Sequence, residues 1–264
     1  MQSSVDISWW ILFLFSGTLL IPFMINRYYQ LELGKDILIS SMRMFLQLSL
    51  VGLYLEFVFD LNSLLLNLTW LAVMILVGSS AIVGKAKLPR KQLLLPVASG
   101  LFIGLLPVIS ILCLAVVDPK PWYSAQYLIP LSGMLLGNSL AGNIVALQNL
   151  YGAFEERKAE YEGAIALAVN PHYAARPFVR DALRKAMAPI LASMTTTGLV
   201  TLPGMMTGQI LGGVSPLIAI KYQLVILIAI FVMMSISLTV SLQLSLNNTL
   251  HPSGRLLVKI QKSS

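Results

Sequence analysis

Six stretches of this chain, 7–26, 61–84, 92–117, 121–154, 186–220 and 222–254, contain no Asp, Glu, Lys or Arg. Each is at least as long as the roughly 20 residues a helix needs to cross the hydrocarbon of a bilayer. A seventh, 37–59, is apolar except for Arg43 and Glu56. Only helices and closed barrels satisfy every backbone polar group in lipid, and runs of this length and uniformity fit helices. The expectation is an all-α polytopic membrane protein of about seven transmembrane helices. A soluble globule is excluded, since only 11% of the residues are charged where a soluble domain carries roughly 25%.

The net charge of +7 is a topology signal. When the loops are assigned to alternating sides, all but three of the eighteen Lys and Arg fall on one side, in four groups: 27–35, 85–91, 157–185 and 255–262. Lys120 and Lys221 fall on the other side, and Arg43 lies within a span. The positive-inside rule then predicts the N-terminus outside, the C-terminus in the cytosol and a multi-pass location in the plasma (inner) membrane. Nucleic acid is not an expected partner; the lipid bilayer is. The opening MQSSVDIS lacks a basic region and a small-residue cleavage site, so the first helix is read as retained.

The whole of 1–264 reads as one transmembrane domain with a soluble-looking cytosolic segment at 152–187. Good helix formers fill 154–168, Asn170-Pro171 breaks them, and Arg176-Pro177 marks a second break, which predicts two short helices. In the second, Asp181 precedes Lys185 by four residues, with Arg180 and Arg184 alongside. Ile165, Leu167 and Phe178 give the segment apolar surface to bury. It reads as a solvated connector, as a surface for membrane headgroups or as a docking element for a cytosolic partner.

Within the spans, Arg43 and Gln47 share a helix face, either lining a polar path or, for Arg43, snorkelling to the headgroups. Gly133, Gly137 and Ala141 recur every four residues, a pattern that lets helices approach closely, and Asn138 lies on another stripe, with Gly142 and Asn149. Pro203-Gly204 interrupts the sixth run near its middle, followed by Met205, Met206 and Gln209. That run is a kinked helix or a broken one, and non-helical backbone at depth is tolerated only against protein or a cavity. These residues are the candidate translocation path.

Other chemistry has little support. GSSAIVGKA at 78–86 has one residue too many for a phosphate-binding loop and ends in Ala, so no ATPase is expected in this chain. There is no CxxC or HExxH; Cys113 is single, and His172 and His251 are far apart. The metal ligands, if any, are unassigned, and no cofactor is expected in this chain.

The stretches GKDIL with Arg43 and Gln47, GMLLGN at 133–138, RDALR at 180–184, GLVTLPGMMTGQI at 198–210 and AIKYQ at 219–223 together resemble the FetB-like permeases. These are metal-export subunits of bacterial ABC transporters, with plant relatives linked to aluminium tolerance. The resemblance covers nearly the whole chain. It implies a permease, not an enzyme, that forms a homodimer and pairs with cytosolic ABC ATPase subunits, which bind ATP and Mg. It also implies export of metal ions such as iron. Glu162, Ala164, Leu167 and Pro171 resemble the EAA-type coupling segment of ABC permeases, with Ala168 where a glycine usually follows the leucine; Arg180, Asp181 and Arg184 extend it. The rival readings are a stand-alone channel or secondary transporter, and a membrane scaffold.

Overall fold

The computed structural model describes residues 7–258, except the side chain of Leu53. The N-terminal hexapeptide, Lys259 and Lys262 lie outside the described residues. The chain is helical nearly throughout. α1 (Trp9–Ser16) and α2 (Leu20–Tyr28) are joined through a 3-10 turn into one span, followed by α3 (Gly34–Leu61), α4 (Leu64–Lys85) and α5 (Arg90–Ile111), which a π turn extends to Val116. α6 (Ala125–Glu156), α7 (Lys158–Ala166), α8 (Pro171–Ala174), α9 (Arg176–Thr196), α10 (Gly204–Leu211) and α11 (Pro216–Thr249) complete it. Among the described residues, six helical segments are long and apolar enough to cross a membrane.

The remaining apolar run, 186–220, is not one helix. It is divided among the end of α9, a turn at 197–203, α10 and the start of α11. Nor does the basic segment contain two short isolated helices: α9 begins at Arg176 and continues to Thr196. Pro177 fits its first turn, where no intrahelical N–H is required, and the alanines that follow propagate the helix from charged into apolar sequence.

The core lies among α4, α5, α6, α9 and α11. Its tightest seam joins α5 to α11. A Cβ added at Gly100 would meet the Ser241 hydroxyl and lie 2.9 Å from the Ser237 carbonyl oxygen; one at Gly104 would lie 2.9 Å from that of Met233. Ser237, Ser241, Ser245 and Thr249 recur every four residues on α11 and are all fully buried. The two glycines therefore let α5 rest on a hydroxyl-lined face. The sequence stripe Gly133, Gly137, Ala141 behaves otherwise: Gly133 meets only the Met74 methyl, at 3.4 Å, and nothing lies within 4 Å of Gly137.

α1 and α2 bury no residue. α3 joins the bundle near its far end, where Val58 is buried with Ala125 and Ile129 and the Tyr54 ring packs at a tilt on Trp70, centroids 4.3 Å apart. Its first half, around Arg43, is exposed.

Candidate functional site

Two regions collect most of the functional residues expected from the sequence; Arg43, Gln47 and Asn138 lie outside both. The first is the interrupted span. α9 ends in three threonines whose hydroxyls turn back onto its own carbonyls: Thr195 donates to Ala192 O at 2.8 Å, Thr196 to Ala192 O at 3.1 Å and Thr197 to Ser193 O at 2.7 Å. Gly198, at φ +90°, reverses the chain, and its N–H donates to Thr201 O at 2.9 Å. Pro203 is then the N-cap of α10, and a proline offers no side-chain cap to the free amides of the first turn, which begins at Gly204. The break thus starts at the threonines, before the Pro-Gly pair.

Met206 is buried, and Met205 packs against the core. Gln209 on α10 and Gln223 on α11 each bury a carbonyl oxygen with no hydrogen-bond partner. Around the turn, Leu199 and Val200 are 91% and 79% exposed. Irregular backbone cannot stand in hydrocarbon, so wherever this turn lies within the bilayer it requires protein or a water-filled cavity over it. Arg43 and Gln47 lie at helical spacing from Tyr54 and Val58, the residues that dock α3 on the bundle, yet both are exposed. Their stripe therefore faces the bundle without reaching it. Asn138 is also exposed, its amide bonded to Met134 O of its own helix at 2.8 Å. The structure does not bring Arg43, Gln47 or Asn138 into contact with the 203–209 residues. Among the described residues, no three His, Cys, Asp or Glu side chains are grouped to hold a metal ion.

The second region is a platform at the basic end of the bundle, where Phe178 and Asp181 meet Phe154, Arg157 and Tyr161, whose spacing gave no sign of it. Phe154, Tyr161 and Phe178 pack edge to face, with centroids 5.0 and 5.1 Å apart for the two Phe154 pairs. The Arg157 guanidinium lies 4.6 Å above the Phe178 ring and grips Glu160 through Nε at 2.8 Å and Nη2 at 2.6 Å, while Nη1 holds Asp181 at 2.9 Å. The bond to Glu160 raises the guanidinium's pKa further, against the opposing effect of desolvation. Tyr161 donates to Gly254 O at 2.9 Å, fastening the C-terminal turn to α7, and burial raises its phenol's pKa. Asp181 therefore pairs with Arg157 and not with Lys185, four residues on. A planar guanidinium can serve two carboxylates and a ring at once, which a sequence spacing does not reveal.

The other coupling candidates lie around this platform. Glu162 makes a surface pair with Lys158 at 3.5 Å, and Ala164 is half-buried. Leu167, expected to bury, is instead 82% exposed at the end of α7. Ala168 follows at φ +58°, the left-handed conformation that favours glycine, and turns the chain toward Asn170, whose side chain caps α8 by accepting from the His172 N–H at 2.9 Å, with Pro171 at the first helical position. α9 separates two clefts. Arg180 opens on one of about 900 Å³, and Asp181 and Arg184 line another of about 350 Å³ with Glu156 and Lys185.

An interrupted apolar run beside a packed helical core, with a hydrogen-bonded aromatic platform where the spans end, defines a polytopic α-helical membrane protein. The chain belongs to the uncharacterised protein family UPF0014, whose model matches residues 9–250. It is 33% identical over 229 residues to "UPF0014 membrane protein slr1647" of Synechocystis, covering 86% of each chain. It is 33% identical over 209 residues to "Protein ALUMINUM SENSITIVE 3" of Arabidopsis thaliana, covering 79% of this chain and 75% of that one. "Probable iron export permease protein FetB" of Escherichia coli is 30% identical over 207 residues, 78% of each chain. No solved structure matches.

Proposed function

We propose that this chain is the membrane-spanning permease subunit of an ATP-driven transporter of the ABC type. It works as a homodimer in the plasma (inner) membrane, N-terminus outside and C-terminus in the cytosol, with ATP and Mg bound by a separate cytosolic ATPase. The observation that carries the reading is the platform: the α7–α8 elbow is tied through Arg157 and Tyr161 to α6, α9 and the C-terminal turn, and it presents the side chain of Leu167, 82% exposed, as a knob. A push on that knob reaches the membrane helices without being absorbed by a loose linker. Glu162, Ala164 and Pro171 shape the elbow, and Asp181 anchors it. The interrupted span around Pro203 is the element whose exposure changes between the two sides, and a second copy covers its irregular backbone. The cargo, iron or another metal ion, is carried over from the name of the Escherichia coli relative.

Affinity purification of the tagged chain from its native membrane tests this. An ATPase recovered at one-to-one stoichiometry, and lost with Leu167→Glu, supports the reading. A chain that purifies alone and supports flux in liposomes replaces it with a channel or secondary transporter.

A further inference from the structure

The larger cleft has a composition unlike its neighbour. Its rim carries Asn170, His172, Tyr173, Arg176 and Arg180, its apolar floor is the half-buried Val179 and Leu183, and no carboxylate lines it. The smaller cleft on the other side of α9 balances its basic residues with Glu156 and Asp181. Arg176 and Arg180 are one helical turn apart, so both side chains rise from one face of α9. Among the described residues neither is within ion-pair distance of an acid, since the ion pairs there involve only Arg157 and Lys158 as cations. Arg176 is held over the Tyr173 ring at 5.4 Å, which fixes its direction without neutralising it. The N-terminal turn of α9, a helix of 21 residues, starts at the same rim and adds the positive end of its dipole.

The depth of the cleft is set by the helices around it. α11 runs alongside α5 so that Asn248 reaches the carbonyl of Gln92, in the first turn of α5, at 3.5 Å. Gln243 and Leu246, on the cleft wall, therefore lie just inside the level where the apolar spans of α5 and α11 end. Two arginines without an ion-pair partner thus stand beside an apolar floor near the level where those apolar spans end.

We propose that this cleft binds the phosphate of an anionic phospholipid. Arg176 and Arg180 hold the phosphate oxygens as charge-assisted donors. Asn170 and His172 reach the glycerol and headgroup hydroxyls, and the first methylenes of an acyl chain lie on the half-buried Val179 and Leu183. A soluble phosphate uses the same arginines but leaves the apolar floor idle, which is why the lipid is the occupant. The site does not rest on the transport reading, and it gives Arg180 a role apart from coupling.

The test is native mass spectrometry of the full chain, without any partner, released from nanodiscs containing phosphatidylglycerol and phosphatidylcholine. The expected result is one retained phosphatidylglycerol, preferred over phosphatidylcholine by roughly thirtyfold, as two basic residues near an anionic surface supply. The preference is expected to vanish in Arg176→Gln/Arg180→Gln and to persist in Lys85→Gln/Lys87→Gln, which removes the same charge elsewhere. The thermal midpoint of the double arginine variant in phosphatidylcholine alone verifies its fold. Equal retention in both variants overturns the proposal. So does full displacement of the lipid by millimolar inorganic phosphate, which marks a free-anion site. A double arginine variant that keeps the lipid but, when purified from native membrane, loses a protein that the parent chain recovers also overturns it, assigning the cleft to protein docking.

Discussion

Arg157 Nη1 donates to Asp181 Oδ2 at 2.9 Å, joining the end of α6 to the second turn of α9 across 24 residues of chain. The same guanidinium holds Glu160 with its other two nitrogens. Lysine keeps the charge but cannot form this planar fork. Arg157→Lys is therefore expected to speed hydrogen exchange of α7 amides several-fold while leaving α5 and α11 protected. Unchanged exchange in α7 contradicts the anchoring role.

Ala168 occupies the left-handed region at φ +58°, which costs a residue with a Cβ about 1 kcal/mol or more. Ala168→Gly is expected to raise the thermal unfolding midpoint in detergent, by a net gain of up to about 1 kcal/mol, and Ala168→Val to lower it. A lower midpoint for the glycine variant shows that the elbow does not depend on that conformation.

The α5–α11 seam predicts a contrast between two glycines. A methyl at Gly100 would press on the Ser241 hydroxyl and on the Ser237 carbonyl oxygen 2.9 Å away, and overpacking of that kind costs about 1–3 kcal/mol. Gly137 has nothing within 4 Å. Gly100→Ala is expected to lower the midpoint by several degrees and Gly137→Ala to leave it within about 0.5 kcal/mol of the parent. Comparable losses place a further helix on the Gly137 face.

The turn at 197–203 predicts a pattern of labelling. Cys113 is buried, and Cys113→Ser gives a background without native thiols. In that background Thr201→Cys is expected to react with a membrane-impermeant thiol reagent, because irregular backbone at depth borders water or protein. Leu95→Cys, on the exposed face of α5, is expected to stay unreactive in lipid. Equal reactivity of the two removes the break from the candidate path.

The spans were legible because the absence of charge over 20 residues or more has few other meanings in a folded chain. Pairing was not legible. Small residues recur every four positions both at Gly133, Gly137 and Ala141 and at Gly100 and Gly104, and local pattern gives no means of choosing which stripe a neighbour will occupy. The α11 hydroxyls at Ser237, Ser241 and Ser245, also spaced by four, are what decide it. Asp181 shows the same limit: its local partner by spacing is Lys185, but the partner it has lies 24 residues away. The Pro-Gly pair correctly marked an interruption, whereas its beginning depends on three threonine hydroxyls that compete for α9's last carbonyls.

The position of the seam in the chain bears on biogenesis. α5 enters the bilayer with its glycine face bare, and the hydroxyl face that fits it belongs to α11, more than a hundred residues later in synthesis. Until that last helix is released from the ribosome, α5 and α6 lack the surface that completes their core. A chain truncated before residue 216 is therefore expected to leave the Gly100–Gly104 face without its partner.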